Sequence, residues 1–118
     1  MAFDFEKLTV YQKALTFIDE TYYLIHSFPP VERFGLTDQF RRAAVSIALN
    51  IAEGSGRTKR DFQHFLRNAR SSCYECVAVL HIATRRTYVL PEKGLQHEQR
   101  LIELSKMISG LIRSLGGS

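Results

Sequence analysis

The chain has 118 residues, of which 16 are Lys or Arg and 12 are Asp or Glu, so its formal net charge is +4. With 45% apolar and 24% charged residues, the composition excludes disordered and fibrous classes, and the length supports a single domain over residues 1–118. The sequence shows no secretory signal, no apolar run near the roughly 20 residues that span a bilayer, and only two cysteines. We therefore expect a cytoplasmic protein with reduced thiols and no membrane partner.

The first predicted helix covers about residues 5–27. The tandem prolines Pro29 and Pro30 end it, because proline cannot continue a helix and disfavours the helical conformation of the residue before it. Apolar residues advance in steps of three and four, which predicts one apolar face. This stripe consists of Leu8, Tyr11, Leu15, Ile18, Tyr22 and Ile25.

The second predicted helix covers about residues 37–54, with Thr37 or Asp38 as its N-cap. It ends at Gly54-Ser55-Gly56, since glycine readily adopts the left-handed conformation of a C-cap. One stripe consists of Phe40, Ala43, Ala44, Ile47 and Ile51, and the other side also carries Val45, Ala48, Leu49 and Ala52. Apolar residues on more than one face predict burial against more than one neighbour.

Two longer helices follow, at about residues 58–88 and 92–115. Thr58 is the expected N-cap of the third helix, with Asp61 in its first turn. The inward residues of the fourth are Leu101, Leu104, Ile108, Leu111, Ile112 and Leu115. Because the connections are only a few residues long, neighbouring helices are expected to run antiparallel. The predicted fold is all-α, an antiparallel up-down four-helix bundle.

Side chains suited to catalysis or metal binding form no recognisable set. Cys73 and Cys76 have the spacing of zinc and thioredoxin-type sites, but no second ligand pair and no βαβ context accompany them. Their place on an apolar helix face favours core packing. No Glu-x-x-His, G-x-S-x-G, H-E-x-x-H or P-loop motif occurs, and surface or partly buried positions are expected for His26, His64, His81 and His97. We predict no enzyme, no metal and no cofactor.

The positive charge is concentrated in one segment. Residues 33–70 contain eight basic and three acidic residues, a net charge of +5, which indicates an anionic partner, although such a run is also typical of a solvated face. Aromatic residues of the segment are expected to be buried, so any binding of RNA or DNA would have low sequence specificity. The candidate nucleic-acid-binding residues are Arg41, Arg42, Arg57, Lys59, Arg60, Arg67 and Arg70.

The S-I-x-x-N-I-A-E-G element at Ser46 to Gly54 is the most specific part of a resemblance that also covers residues 5–14, 34–47 and 62–75. Much of the sequence thus resembles the bacterial family of 23S rRNA intervening-sequence proteins, or S23-like proteins. The resemblance implies a four-helix bundle that assembles into a ring, expected to be a homopentamer, with a basic surface. The resemblance also implies a relationship to the accessory variability protein of diversity-generating retroelements, a protein that binds nucleic acid and its reverse transcriptase. A reverse transcriptase is thus one conceivable protein partner.

The family element places polar residues in a largely apolar helix. If Ser46, Asn50 and Glu53 are buried, they need partners, which Arg41, Arg42, Arg67 or Arg70 of neighbouring helices or subunits would supply. Two hypotheses follow. The first is a non-enzymatic homo-oligomeric scaffold that binds RNA or DNA through its basic surface. The second is a protein-interaction scaffold whose arginines serve subunit contacts instead.

Overall fold

The computed structural model describes residues 3–116. They form four helices, α1 (Thr9–Leu24), α2 (Leu36–Ser55), α3 (Lys59–Arg85) and α4 (Pro91–Ser114), with short 3-10 turns at Asp4–Lys7, Ile25–Ser27 and Pro30–Glu32. No strand occurs within these residues, and each helix packs on its neighbour in the chain, so the predicted all-α four-helix fold is confirmed. The molecule measures 42 × 28 × 20 Å.

The helix ends differ from the predicted ones at several places. The helix predicted at 5–27 is shorter, because Leu8 has an extended backbone and residues 25–27 tighten into a 3-10 turn before Pro29. At the start of α2, neither Thr37 nor Asp38 is the cap. The Glu32 carboxylate accepts a hydrogen bond from the Leu36 backbone N–H at 3.0 Å instead.

The two ends of α3 are defined by specific hydrogen bonds. At its start the Thr58 hydroxyl accepts a bond from the Asp61 backbone N–H at 3.1 Å, which confirms the predicted cap. At its end Thr87 adopts a positive φ of 63°, and the Tyr88 N–H donates to the Ala83 carbonyl at 2.9 Å. This Schellman arrangement ends the helix at Arg85, three residues earlier than predicted.

The most extensive helix contact is between α2 and α3, which run antiparallel. Small residues allow the two helices to approach closely at one end, where a side chain at Gly54 would meet Phe62 and Phe65. Further along the same contact, the Ser72 hydroxyl donates to the Ser46 hydroxyl at 2.9 Å. The predicted inward residues of α2 and α4 are buried or half-buried, so these two core faces are confirmed.

The core-facing side of α1 is not the predicted stripe. Its buried residues are Val10, Ala14, Phe17 and Thr21. The predicted stripe is rotated toward α2 and solvent, and Leu15 and Tyr22 are 42% and 44% exposed. Two adjacent apolar stripes therefore lie on this helix. The predicted one is partly covered within residues 3–116, where its other members pack half-buried against the core: Leu8, Tyr11, Ile18 and Ile25. On α2 the predicted burial against more than one neighbour is confirmed, since α2 packs on both α1 and α3; of its second apolar side only Leu49 is open, at 61% exposure.

Candidate nucleic-acid interface

Two of the seven predicted basic residues share one acidic partner near the start of α2. Arg41 forms a close ion pair with Asp38, and a guanidinium nitrogen of Arg42 lies 3.7 Å from the same carboxylate. Asp38 and then Tyr22 hold the pKa of Arg41 above its ordinary value. Both arginines lie away from the α2–α3 turn, since Gln39 reaches Glu75 in the second half of α3. Asp38 compensates one of these two positive charges, and Arg42, which is 74% exposed, is the more weakly paired.

Two further predicted residues are also engaged. Arg57 pairs with Glu53 at 3.1 Å, and its guanidinium carbon lies 4.9 Å from the centre of the Phe65 ring. Arg70 is half-buried and donates to the Ser109 hydroxyl at 3.0 Å, which ties α3 to α4. These arginines have structural contacts that an anionic ligand would have to share or replace.

The remaining three predicted residues, Lys59, Arg60 and Arg67, are exposed. Within residues 3–116 no carboxylate lies within ion-pair distance of any of them. All three belong to α3, and Arg60 and Arg67 are seven residues apart, or two helical turns, so their side chains leave the same side of the helix.

Arg60 and Arg67 are part of a longer exposed stripe, which we call the outer face of α3. Its positions are separated by three or four residues, and all eight are exposed: Arg60, His64, Arg67, Ser71, Tyr74, Ala78, Ile82 and Arg85. None is acidic. The acidic residues of α3, Asp61 and Glu75, fall outside this stripe. From Arg60 to Arg85 the stripe extends about 38 Å at 1.5 Å per residue.

Of the eight positions of this face only Arg60 and Arg67 were predicted from the sequence; Tyr74 and Arg85 are the unpredicted members best suited to bind a nucleic acid. Both continue the helical period of Arg60 and Arg67, so the signal was present in the spacing. The expectation that aromatic residues of the basic segment are buried is wrong for Phe34, which is 87% exposed and lies under Arg33 at 5.1 Å. The loop before α2, which has few neighbours, leaves this ring uncovered.

The polar residues of the S-I-x-x-N-I-A-E-G element bind one another and not the arginines suggested as partners. The Asn50 amide donates to the Ser46 hydroxyl at 3.0 Å and to the Ser46 carbonyl at 2.9 Å, and Ser72 of α3 completes the cluster. Glu53 is exposed on the last turn of α2 and pairs with Arg57 in the loop that follows this helix. The element is thus a helix-packing signal, with Gly54 as its closest contact.

The cysteines and His97 belong to the core. Burial raises the pKa of Cys73 to about 12 and, with Cys73 and Glu75, raises that of Cys76 further, so both thiols are protonated at neutral pH. Core packing of the cysteines is confirmed. The expected surface or partly buried position is wrong for His97, which is buried, with its Nε2 2.8 Å from the Thr21 hydroxyl. In the described residues no three His, Cys, Asp or Glu side chains converge as a metal site.

Fold and surface together define a small antiparallel helical bundle with an arginine-bearing outer helix. The chain matches the family model for the 23S rRNA-intervening sequence protein over residues 6–110, and it therefore belongs to that family. No helix within residues 3–116 has the length and hydropathy that crossing a membrane requires.

Solved structures support the fold. The chain is similar to the crystal structure of a protein of unknown function of the S23 ribosomal protein family from Bacteroides thetaiotaomicron VPI-5482, with a TM-score of 0.82 and 23% identity. The match covers 89% of this chain and 99% of the other. No curated protein shows significant similarity to the chain.

Proposed function

We propose that this protein is a non-enzymatic, homo-oligomeric scaffold that binds RNA or DNA with low sequence specificity through the outer face of α3. The observation that carries the proposal is the composition of that face, in which Arg60, Arg67, Arg85 and His64 are exposed over about 38 Å with no acidic residue among the eight positions. A guanidinium binds phosphate oxygens through paired N–H groups, and each such contact releases counterions.

The proposed face suits the backbone of a nucleic acid better than its bases. A single straight helix surface with three arginines offers phosphate contacts, which position a nucleic acid but do not read its sequence. Tyr74, which is 59% exposed midway along the face, adds one ring on which an unpaired base can stack. We therefore expect binding to both RNA and DNA, with a preference for single-stranded segments.

The other predicted basic residues have smaller roles in this proposal. Lys59 adjoins the face, whereas Arg41, Arg42 and Arg57 already pair with carboxylates and Arg70 holds α3 to α4. An ion pair must be broken before its arginine can bind phosphate, and this cost lowers the net free energy that the arginine contributes to binding. The binding energy is therefore expected to come mainly from α3.

Self-association is supported by a second surface, the α1–α2 outer face, which consists of Tyr11, Leu15, Ile18, Tyr22, Val45 and Leu49. All six are apolar or aromatic and half-buried or exposed, and contiguous apolar surface of this kind is typical of protein contacts. We propose that this face of each copy contacts a different surface of the next copy, so that the chain forms a closed ring, a pentamer as the resemblance implies. Repeating the outer face of α3 around a ring would strengthen weak phosphate contacts by avidity.

A second candidate function is a protein-interaction scaffold whose arginines serve subunit contacts. The observation in its favour is that Arg41 lies beside Tyr22, at the edge of the α1–α2 outer face. Under this alternative Arg41 contributes to the subunit contact, and the protein partner, conceivably a reverse transcriptase, binds without nucleic acid.

Fluorescence anisotropy with labelled RNA and DNA tests the first proposal. Replacing Arg60, Arg67 and Arg85 together by alanine removes three phosphate contacts per chain. We expect affinity for an oligonucleotide of about 30 nucleotides to fall at least about tenfold at about 50 mM salt, and the slope of log affinity against log salt to decrease by about 2 to 3.

The matched control is the triple variant Lys93→Ala, Arg100→Ala and Lys106→Ala, which changes the net charge equally but lies on α4. It should bind nearly as well as the unaltered protein. Equal weakening by both triple variants would show attraction to net charge only, and an unaltered protein that binds neither probe at low salt would exclude the proposal.

A further inference from the structure

A wide groove lies between α1 and α4. Its volume is about 1300 Å³, and it runs along α4 from Lys93 to Met107, or about 21 Å at 1.5 Å per residue. Across it the two helices are joined by long polar side chains, with Lys13 bound to Glu103 at 3.3 Å and Arg100 to Glu20 at 3.3 Å. A space therefore remains between the helices that these side chains bridge and do not fill.

The surface of this groove is amphipathic. Its apolar lining includes Leu24, Val89, Ile102 and Met107, together with Tyr23. Two of these side chains are exposed to solvent, Tyr23 at 80% and Ile102 at 37%. When a ligand removes exposed apolar groups of a concave surface from water, the free energy of binding becomes more favourable. The groove is thus suited to an apolar ligand surface of similar length.

The two walls of the groove carry opposite net charges. The α1 wall presents Asp19 and Glu20, and the α4 wall presents Lys93, Arg100 and Lys106 together with one carboxylate, Glu103. Glu20 has one carboxylate oxygen that is buried and has no hydrogen-bond partner in residues 3–116, while its other oxygen binds Arg100. A buried acceptor without a donor is costly, so a basic group placed here would stabilise the site once the carboxylate turns toward it.

We propose that this groove binds an amphipathic α-helix of a partner protein, with an apolar stripe toward Ile102 and Leu24, basic residues toward the α1 wall and acidic residues toward the α4 wall. A helix of about 14 residues matches the 21 Å length, and helix-in-groove recognition uses this combination of apolar stripe and charged flanks. A nucleic acid does not fit, because the α1 wall is acidic and the lining is apolar.

A second copy of this chain is the other occupant to consider. The α1–α2 outer face lies on the opposite flank of α1 from the groove, and none of its six residues lines the groove. Because a ring contact joins two different surfaces of adjacent copies, we place the second ring surface outside the groove, and light scattering tests this placement. The inference therefore does not depend on nucleic-acid binding, which uses α3.

The test uses the full chain and a defined peptide. The probe is a fluorescein-labelled helix of about 18 residues with a leucine stripe, a lysine flank and a glutamate flank, and its control is a scrambled peptide of equal composition. We expect saturable anisotropy with the helical probe only. Ile102→Glu is expected to weaken this binding at least about tenfold, because it places a charge against the apolar stripe.

The matched variant is Ile82→Glu, in which an isoleucine of comparable exposure on α3 receives the same charge outside the groove. It should bind the peptide as the unaltered protein does, and circular dichroism should show both variants folded. Three outcomes would overturn the proposal: no saturable binding of the helical peptide, equal binding of the scrambled peptide, or equal weakening by the two variants. A lower molar mass of Ile102→Glu in light scattering would also overturn it, since a second copy would then occupy the groove.

Discussion

His97 is held as a neutral ring between α1 and α4. The Thr21 hydroxyl donates its proton to the Phe17 carbonyl at 2.9 Å, so it can only accept from His97, and Nε2 must carry the imidazole proton. The ring also lies 4.4 Å from Phe17 and 5.6 Å from Phe40, centre to centre. Burial, and then the charge of Arg100, lower the pKa of His97 from 6.5 to about 4.

This buried imidazole predicts a loss of stability in mild acid. Between about pH 6.5 and pH 4 the unfolded chain takes up a proton at His97 that the folded chain refuses, so the free energy of unfolding falls as the pH falls through this range. The His97 contribution lost between pH 7 and pH 4.5 is expected to be about 2 to 3 kcal/mol. Urea unfolding at the two pH values measures it.

The control for this effect is a pair of glutamine variants. His97→Gln should lose this part of the pH dependence, whereas His64→Gln, at an exposed position on α3, should retain it. The same pH dependence in His97→Gln as in the unaltered protein would assign the effect to other groups.

At the scale of the helices, Gly54 controls how closely α2 approaches α3. A β-carbon at this position would lie 2.7 Å from the Phe65 Cβ and 2.9 Å from the Phe62 Cδ1. Gly54→Ala must therefore push the helices apart or distort a rotamer, and we expect it to lower the free energy of unfolding by about 1 to 3 kcal/mol. Thermal or chemical unfolding measures the change.

Gly56, two residues further along, provides the matched comparison. A β-carbon there meets nothing within 4 Å, and its φ of −89° suits alanine. Gly56→Ala should change the free energy of unfolding by less than about 0.5 kcal/mol. Equal effects of the two alanines would show that the contact with α3 does not determine the cost of a side chain at Gly54.

Helical periodicity predicted all four helices because each has apolar residues at the spacing of a helix face. It failed on α1, where the stripe from Tyr11 to Tyr22 is more apolar than the buried side, which includes Ala14 and Thr21. Periodicity shows which side chains share a helix face, but it does not show which neighbouring helix covers that face. Small residues belong in the core here because they let α1 approach the bundle.

The candidate site was only partly predictable for a similar reason. Composition identified the basic segment, and spacing identified Arg60 and Arg67, but pairing with carboxylates depends on side-chain geometry. Asp38 and Glu53 pair within their own helix region, which i, i+3 and i, i+4 spacing indicates in retrospect. The groove between α1 and α4 was beyond prediction, since it depends on how two distant helices diverge.

For the whole molecule, the α1–α2 outer face predicts self-association. Leu49→Lys places a charge on its most exposed leucine, and we expect it to shift the protein toward the 13.5 kDa single chain in light scattering. The reason is that a charge in an apolar contact loses its hydration without gaining a partner.

Leu95→Lys is the matched variant for this test, because Leu95 is 60% exposed, as Leu49 nearly is, but lies on α4. Its molar mass should equal that of the unaltered protein. If the unaltered protein is already a single chain at micromolar concentration, the α1–α2 outer face does not mediate stable self-association.

The net charge of +4 is distributed unevenly over the molecule. Three free arginines lie on the outer face of α3, while the α1–α4 groove combines acidic and basic walls. Since charges on one exposed helix face add along a phosphate backbone, a modest total can still produce salt-sensitive binding. The distribution of charge, and not its sum, is what the oligonucleotide experiment examines.

Helix α1 separates two uncovered surfaces, one toward α2 and one toward α4. Both surfaces share this one helix. A ligand that restricts the motion of α1 on one flank therefore lowers the conformational entropy cost of binding at the other flank. Any such coupling is reciprocal: if a helix in the groove tightens the ring by some factor, assembly of the ring tightens the helix by the same factor. The fraction of grooves occupied by a partner helix and the fraction of chains assembled into rings would then change together.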